Sequence, residues 1–260
     1  MKPMAPRIPR LLDTPIAFAH RGASAHEQEN TIAAFELALR LGATGLESDV
    51  WLTADGQAVL DHDGVFGRFG RRRRIPTMER AALPDYVPSL DEALDALGTD
   101  YEFSLDMKDG AAIEAVVASI DRVDPGSDSF SRRVWLCHPD LDLLISWRDR
   151  WPHLRYVNSA RLPNLGESIE KRAARLAAAG IDVLNMHYSD WTGGLTTLLH
   201  RFGVLTFGWD AQHERVLTEL LDIGCDGVYS DYVDRMMAVV QQDLGDEGSE
   251  PADVVEGPDP

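Results

Sequence analysis

Two kinds of apolar pattern take turns along this chain. Short apolar runs bounded by Gly, Asp or Pro read as strands buried on both faces, whereas apolar residues spaced three and four apart read as amphipathic helices. Strands are expected at 16–19, 45–51, 101–107, 134–137, 154–157, 182–186, 204–209 and 227–229. Helical spacing fills the gaps at 30–41, 111–123, 140–149, 167–179, 195–202 and 212–223, with a last helix starting near residue 231. In the first helix Ile32, Phe35 and Leu39 form the apolar stripe, Asn30 is the expected cap and Gly42 closes it. Strands that alternate with helices favour a parallel sheet, and eight such units in about 230 residues predict an α/β fold closed as a TIM (β/α)8 barrel. A doubly wound open sheet competes with it. Gly22 after the first strand stands alone, without the GxGxxG spacing of a dinucleotide site, and this favours the barrel.

One segment departs from the βα rhythm. Thr53-Ala54-Asp55-Gly56-Gln57 sets an Asp-Gly turn between two β-prone runs, which predicts a β-hairpin excursion after the second strand. With Asp55 and Gly56 as a two-residue loop, Ala54 opposes Gln57 and His62 comes to lie opposite Asp49.

Composition changes the picture at the ends. At 260 residues and 44% hydrophobic content the chain can bury one large core. Residues 1–15 read as an N-terminal extension, broken by prolines and without the apolar stretch of a signal peptide. Residues 16–242 form the barrel domain. Residues 243–260 hold seven acids and no base among Gly and Pro, the composition of a disordered tail. No apolar stretch reaches membrane-spanning length. Cys137 and Cys225, at or near expected strands, read as buried thiols, and a cytoplasmic location is expected. The net charge of -18 argues against nucleic acid as a partner, since phosphate backbones are held by clustered Lys and Arg.

Against that acidic background the placement of bases is informative. Side chains alternate along a strand, so Glu47 and Asp49 share one face while Leu46, Ser48 and Val50 share the other. Asp106 and Lys108 repeat the arrangement at the end of the third barrel strand, and His20 and Arg21 end the first. All strand C-termini of a barrel meet at one mouth. Glu47, Asp49 and Asp106 then suit a hard divalent cation, Mg2+ or Ca2+, rather than zinc. Arg21 and Lys108 are fixed cations beside it, His20 and His62 are titratable, and a phosphate is the expected ligand of such a set.

These residues resemble the glycerophosphodiester phosphodiesterase family, a branch of the phospholipase-C-like barrel phosphodiesterases. The resemblance is carried by His20-Arg21-Gly22, Glu29-Asn30-Thr31, Glu47-Ser48-Asp49, Thr53-Ala54-Asp55-Gly56, His62-Asp63 and Asp106-Met107-Lys108, in the family's order and spacing. Gly224-Cys225-Asp226-Gly227 with Ser230-Asp231 is similar to its closing signature, so the likeness runs from Ile16 to about Met237. It implies metal ligation by Glu47, Asp49 and Asp106, an acid-base pair in His20 and His62, and phosphate contacts from Arg21 and Lys108. It also implies a small glycerophosphodiester as substrate, cleaved to sn-glycerol 3-phosphate and an alcohol. The chain departs from the family pattern at Gln28, where Pro is usual, at Asp106, where Glu is usual, at 67–74 and at 207–210. Two alternatives are a lysophospholipase D, acting on a headgroup with an acyl chain attached, and a non-catalytic phosphate-binding barrel.

Other residues have a plain reading beside the functional one. Asn30 is either a cap or a contact of the metal site. His138 and His187 end strands and either line the mouth or serve as hydrogen-bonded structural groups. Trp209 is either core or a wall for the headgroup. Arg71–Arg74 form a solvated loop, or else steer anionic substrate and touch a membrane surface peripherally.

Overall fold

The structure is a computed structural model that describes residues 7–67 and 72–247. Eight parallel strands close on themselves: β1 (Ile16–Ala19), β2 (Gly45–Leu52), β6 (Glu102–Met107), β7 (Val134–His138), β8 (Arg155–Ala160), β9 (Val183–His187), β10 (Leu205–Trp209) and β11 (Gly227–Ser230). Closure is made by β1, which pairs with β11 on one side and β2 on the other, Ala19 opposing both Ser230 and Leu46. The expected TIM barrel is therefore the fold.

The excursion after β2 holds β3 (Ala58–Leu60), antiparallel to β2, and the ribbon of β4 (Val65–Phe66) with β5 (Arg73–Arg74). Around the barrel lie α1 (Ile32–Arg40), α2 (Leu90–Leu97), α3 (Ile113–Val123), α4 (Leu141–Arg150), α5 (Ile169–Ala179), α6 (Gly193–Arg201), α7 (Glu214–Asp222) and α8 (Val233–Glu247). Each barrel strand sends alternate residues to two different cores. Phe18, Trp135, Val157, Val183, Phe207 and Tyr229 fill the barrel, where Phe18 stacks on Tyr229 with ring centroids 4.6 Å apart. Leu46, Val50, Leu105, Leu136 and Leu184 face outward and meet the helices.

Four local expectations are corrected. The hairpin register places Val50 opposite Leu60 and Leu52 opposite Ala58, one residue away from the expected pairing. The loop has three residues, Thr53 bonding Gln57 across it and Gly56 taking φ +82°, so Asp61 rather than His62 lies beside Asp49. Thr31 rather than Asn30 caps α1, its hydroxyl accepting from the Ala34 N–H at 3.2 Å. Helix α2 was not among the expected elements, although Ser89 and Glu92 form a reciprocal capping box at its start.

The fourth correction concerns the domain boundaries. α8 runs on to Glu247, with Asp243 buried and its carboxylate 2.8 Å from Arg10 Nη1. The extension from Arg7 onward packs under the barrel, Leu12 lying against the interior core. Residues 248–260 lie outside the described residues, as does Arg71. Both cysteines are free and buried. Among the described residues no helix is long and apolar enough to cross a membrane.

Candidate active site

Inward alternation brings His20, Glu47, Asp49 and Asp106 to the C-terminal mouth, around a cavity of about 240 Å³ that Arg21, Lys108, Ser159, Asn185 and Trp209 also line. The His-Arg pair sits where β1 turns away from the barrel. Arg21 adopts φ +55°, a left-handed conformation that a non-glycine residue holds only when its surroundings enforce it. Gly22 follows at φ +80°, and a Cβ there would stand 2.7 Å from the Ala34 carbonyl carbon. Only glycine lets α1 pack this close behind the turn.

His20 is held from below and behind. Its Nδ1 is 2.6 Å from Asp231 Oδ1, which leaves Nε2 facing Glu47 Oε2 at 3.8 Å. Asp231 is itself fixed: Gln212 Nε2 donates to Oδ2 at 2.9 Å, Ser24 Oγ donates to Oδ1 at 3.2 Å, and the Asp231 N–H donates to Gln212 Oε1 at 2.9 Å. Burial works against a charged His20, but the Glu47 carboxylate and the Asp231 hydrogen bond outweigh it, and its pKa rises above the usual imidazole range. Asp231 moves down, because the bond and charge of His20 overcome its own partial burial.

The acids are unequally compensated. Glu47 accepts the Arg21 N–H at 2.9 Å, yet burial, helped by Asp49 and Asp106 and opposed by His20, pushes its pKa up to about 7. Asp49 is 2% exposed and holds two donors, Lys108 Nζ at 3.0 Å and Asn30 Nδ2 at 3.2 Å, with the Arg21 guanidinium as an ion-pair partner whose Nε stands 3.5 Å away. Asn30, at φ +55°, accepts in turn from Ser48 Oγ at 2.6 Å, so it braces an acid of the site. Lys108 also meets Asp106 Oδ2 at 2.5 Å. Burial would lower the Lys108 pKa, but its two carboxylate neighbours carry it well above the ordinary lysine value.

Among the described residues no three acidic, histidine or cysteine side chains stand close enough together to hold a metal ion. The Lys108 ammonium spans Asp49 and Asp106, and Glu47 turns to the Arg21 backbone. In chemistry the set still fits a hard divalent cation: every donor is a carboxylate oxygen, and Asp49 and Asp106 are register partners on adjacent strands.

The remaining expected residues separate. His62 does not line the cavity; its Nδ1 meets Asp63 at 3.0 Å, which follows from the hairpin register. His138 accepts the Asp140 N–H and packs on Trp147, a structural role at the start of α4. His187 pairs with Asp210 at 3.0 Å and lies edge-on to Trp209, which lines the cavity. Arg72, Arg73 and Arg74 are exposed.

Three residues went unmarked in the sequence. Asp231 was detectable from closure alone, since a barrel sets the end of its last strand beside the end of its first; Gln212, beyond the end of β10, reaches Asp231 there. Asn185 was not: its Oδ1 is buried without a hydrogen-bond partner among the described residues, on a residue that lines the cavity.

A (β/α)8 barrel whose mouth gathers acids, two cations and a carboxylate-held histidine defines an enzyme site for an anionic ester. The profile of the glycerophosphoryl diester phosphodiesterase family matches residues 20–235, and the chain belongs to this family. A glycerophosphodiester phosphodiesterase of Caldanaerobacter subterraneus is 26% identical over 248 residues, spanning 87% of this chain and 98% of that protein. Among solved structures, one from Thermotoga maritima described as a glycerophosphodiester phosphodiesterase superposes with a TM-score of 0.75 at 24% identity, covering 88% of this chain and 99% of the other. An Oleispira antarctica phosphodiesterase, solved with the product sn-glycerol-3-phosphate, gives 0.75 at 22% identity over 88% and 97%.

Proposed function

We propose that the chain hydrolyses glycerophosphodiesters to sn-glycerol 3-phosphate and an alcohol. One observation carries the reading: His20, fixed by Asp231, turns Nε2 into an acid-lined cavity beside the Arg21 and Lys108 cations. A phosphodiester repels an incoming oxygen nucleophile and parts poorly with an alkoxide, so a site must supply positive charge and a proton. In this reading Arg21 and Lys108 meet the non-bridging oxygens. His20 moves one proton at Nε2, and Asp231 keeps the ring oriented and favours its charged form. The family resemblance makes His62 the second proton carrier, a role that requires it to turn from Asp63 toward the cavity.

Glu47, Asp49 and Asp106 would hold Mg2+ or Ca2+. The ion would lower phosphoryl charge and favour a deprotonated nucleophile. Such an ion competes with Lys108 for the two aspartates.

The test is glycerol phosphate release from glycerophosphocholine and glycerophosphoglycerol, with and without chelator. Chelator should abolish it, and His20→Ala and His62→Ala should each lower kcat by about 10²–10⁴-fold. A His20→Ala enzyme as fast as wild type overturns the acid-base role, and full activity in chelator overturns the metal.

A further inference from the structure

A second cavity adjoins the active-site cavity. A cleft of about 310 Å³ shares Ser159 and Trp209 with it, and runs on between Arg161 and Arg172. This inference rests on the hydrolytic reading above, in which the glycerol phosphate half and the leaving alcohol need adjoining places. We propose that the leaving alcohol lies in this cleft, and that Arg161 on the face of Trp209 selects neutral or anionic alcohols against cationic ones such as choline.

A tryptophan at the mouth of a phosphodiesterase is the natural wall for a quaternary ammonium, through the attraction of a cation to an aromatic face. Here that attraction is already used. The Arg161 guanidinium stands 5.8 Å from the Trp209 ring centroid, and His187 packs against the same indole at 4.7 Å. Arg161 is held rather than mobile, since Nε and Nη2 meet the Asp190 carboxylate at 2.7 and 3.3 Å.

The ion pair is lopsided toward the solvent. The Arg161 side chain is 41% exposed and Asp190 only 9%, so an incoming ligand meets the cationic end. Arg172 lines the cleft as well, bonded to Asn158 Oδ1 and the Leu165 carbonyl, while its acid partner Glu167 does not line it. Asp210 follows Trp209 in sequence, but its carboxylate is taken by His187 and Gln212. No acidic residue lines the cleft among the described residues, in a chain that carries 43 acids against 25 bases. A choline placed there would meet the guanidinium ends of two ion pairs whose acids, Asp190 and Glu167, do not line the cleft. A polyol or an anionic alcohol would find donors.

The experiment compares kcat/KM for glycerophosphoglycerol and glycerophosphocholine. Wild type should favour the uncharged alcohol by about tenfold or more, the like-charge penalty being removed for it. Arg161→Gln should lower that ratio, and Arg161→Lys should keep it above one. The wild-type ratio needs no variant and so does not depend on folding of the substituted chains. Equal or better use of glycerophosphocholine by wild type overturns the inference, as does an unchanged ratio in Arg161→Gln. Turnover of neither diester overturns the hydrolytic reading itself, a result distinct from equal turnover of both.

Discussion

At the scale of single residues, the site is built by side chains whose partners leave them one useful direction. His20 has two ring nitrogens, and Asp231 occupies one of them at 2.6 Å. The other is thereby committed to the cavity, in a fixed tautomer and orientation. Replacing Asp231 by Asn keeps the shape but removes the charge that favours imidazolium. It should lower kcat by about 10²–10⁴-fold while KM changes little, measured on the better of the two diesters. A KM effect of the same size would mean that Asp231 touches the substrate. Backbone strain marks the same place: of the four non-glycine residues with positive φ among the described residues, Arg21, Asn30 and Asp210 bound the mouth and Asp128 lies elsewhere.

At the scale of elements, what could be read from the chain depended on how local its cause was. The eight barrel strands and seven of the helices follow from apolar spacing, and the structure moves their ends by at most three residues. Glu47, Asp49 and Asp106 converge for an equally local reason, because strict alternation fixes which face a residue takes. His62 is different. Its place depended on whether the Asp55-Gly56 turn used two residues or three, and a shift of one residue exchanges neighbours along the strand. The α1 cap failed similarly: Asn30 and Thr31 are both good caps, and only Asn30 could reach Asp49. Arg161 was hidden because its partner Asp190 follows a different barrel strand. The joint between β1 and α1 offers a test. Gly22→Ala forces both a positive φ and a contact 2.7 Å from the Ala34 backbone. It should lower stability by about 1–3 kcal/mol and weaken substrate binding by displacing Arg21, as thermal melts and KM would show.

At the scale of the whole molecule, the barrel is open at one end only. Beneath it, residues from Arg7 onward form a strap between α7 and α8. Ile8 donates to the Asp222 carbonyl at 3.0 Å, and the N–H groups of Leu11 and Leu12 reach Asp226 Oδ1 at 2.7 and 3.1 Å. Asp226 is fully buried and its Oδ2 takes the Thr206 N–H and His200, so the strap supplies the partners of the other oxygen, Oδ1. The last helix is tied to the same strap by Arg10 and Asp243, whose side chains are only 4% and 3% exposed. Both ends of the domain thus meet on the face opposite the chemistry, where barrel residues act in stability rather than catalysis. Arg10→Ala removes one of the two arginines, with Arg7, that meet the buried Asp243 carboxylate and should cost up to about 3 kcal/mol. For a chain of this size that is a drop in Tm of roughly 6–12 °C. Well below the melting point kcat/KM should stay within about twofold of wild type, since the strap packs on the face opposite the mouth. A variant that melts like wild type would show that the Arg10–Asp243 pair does not hold the strap. A variant that keeps its Tm and loses turnover would instead tie the closed end of the barrel to the open one.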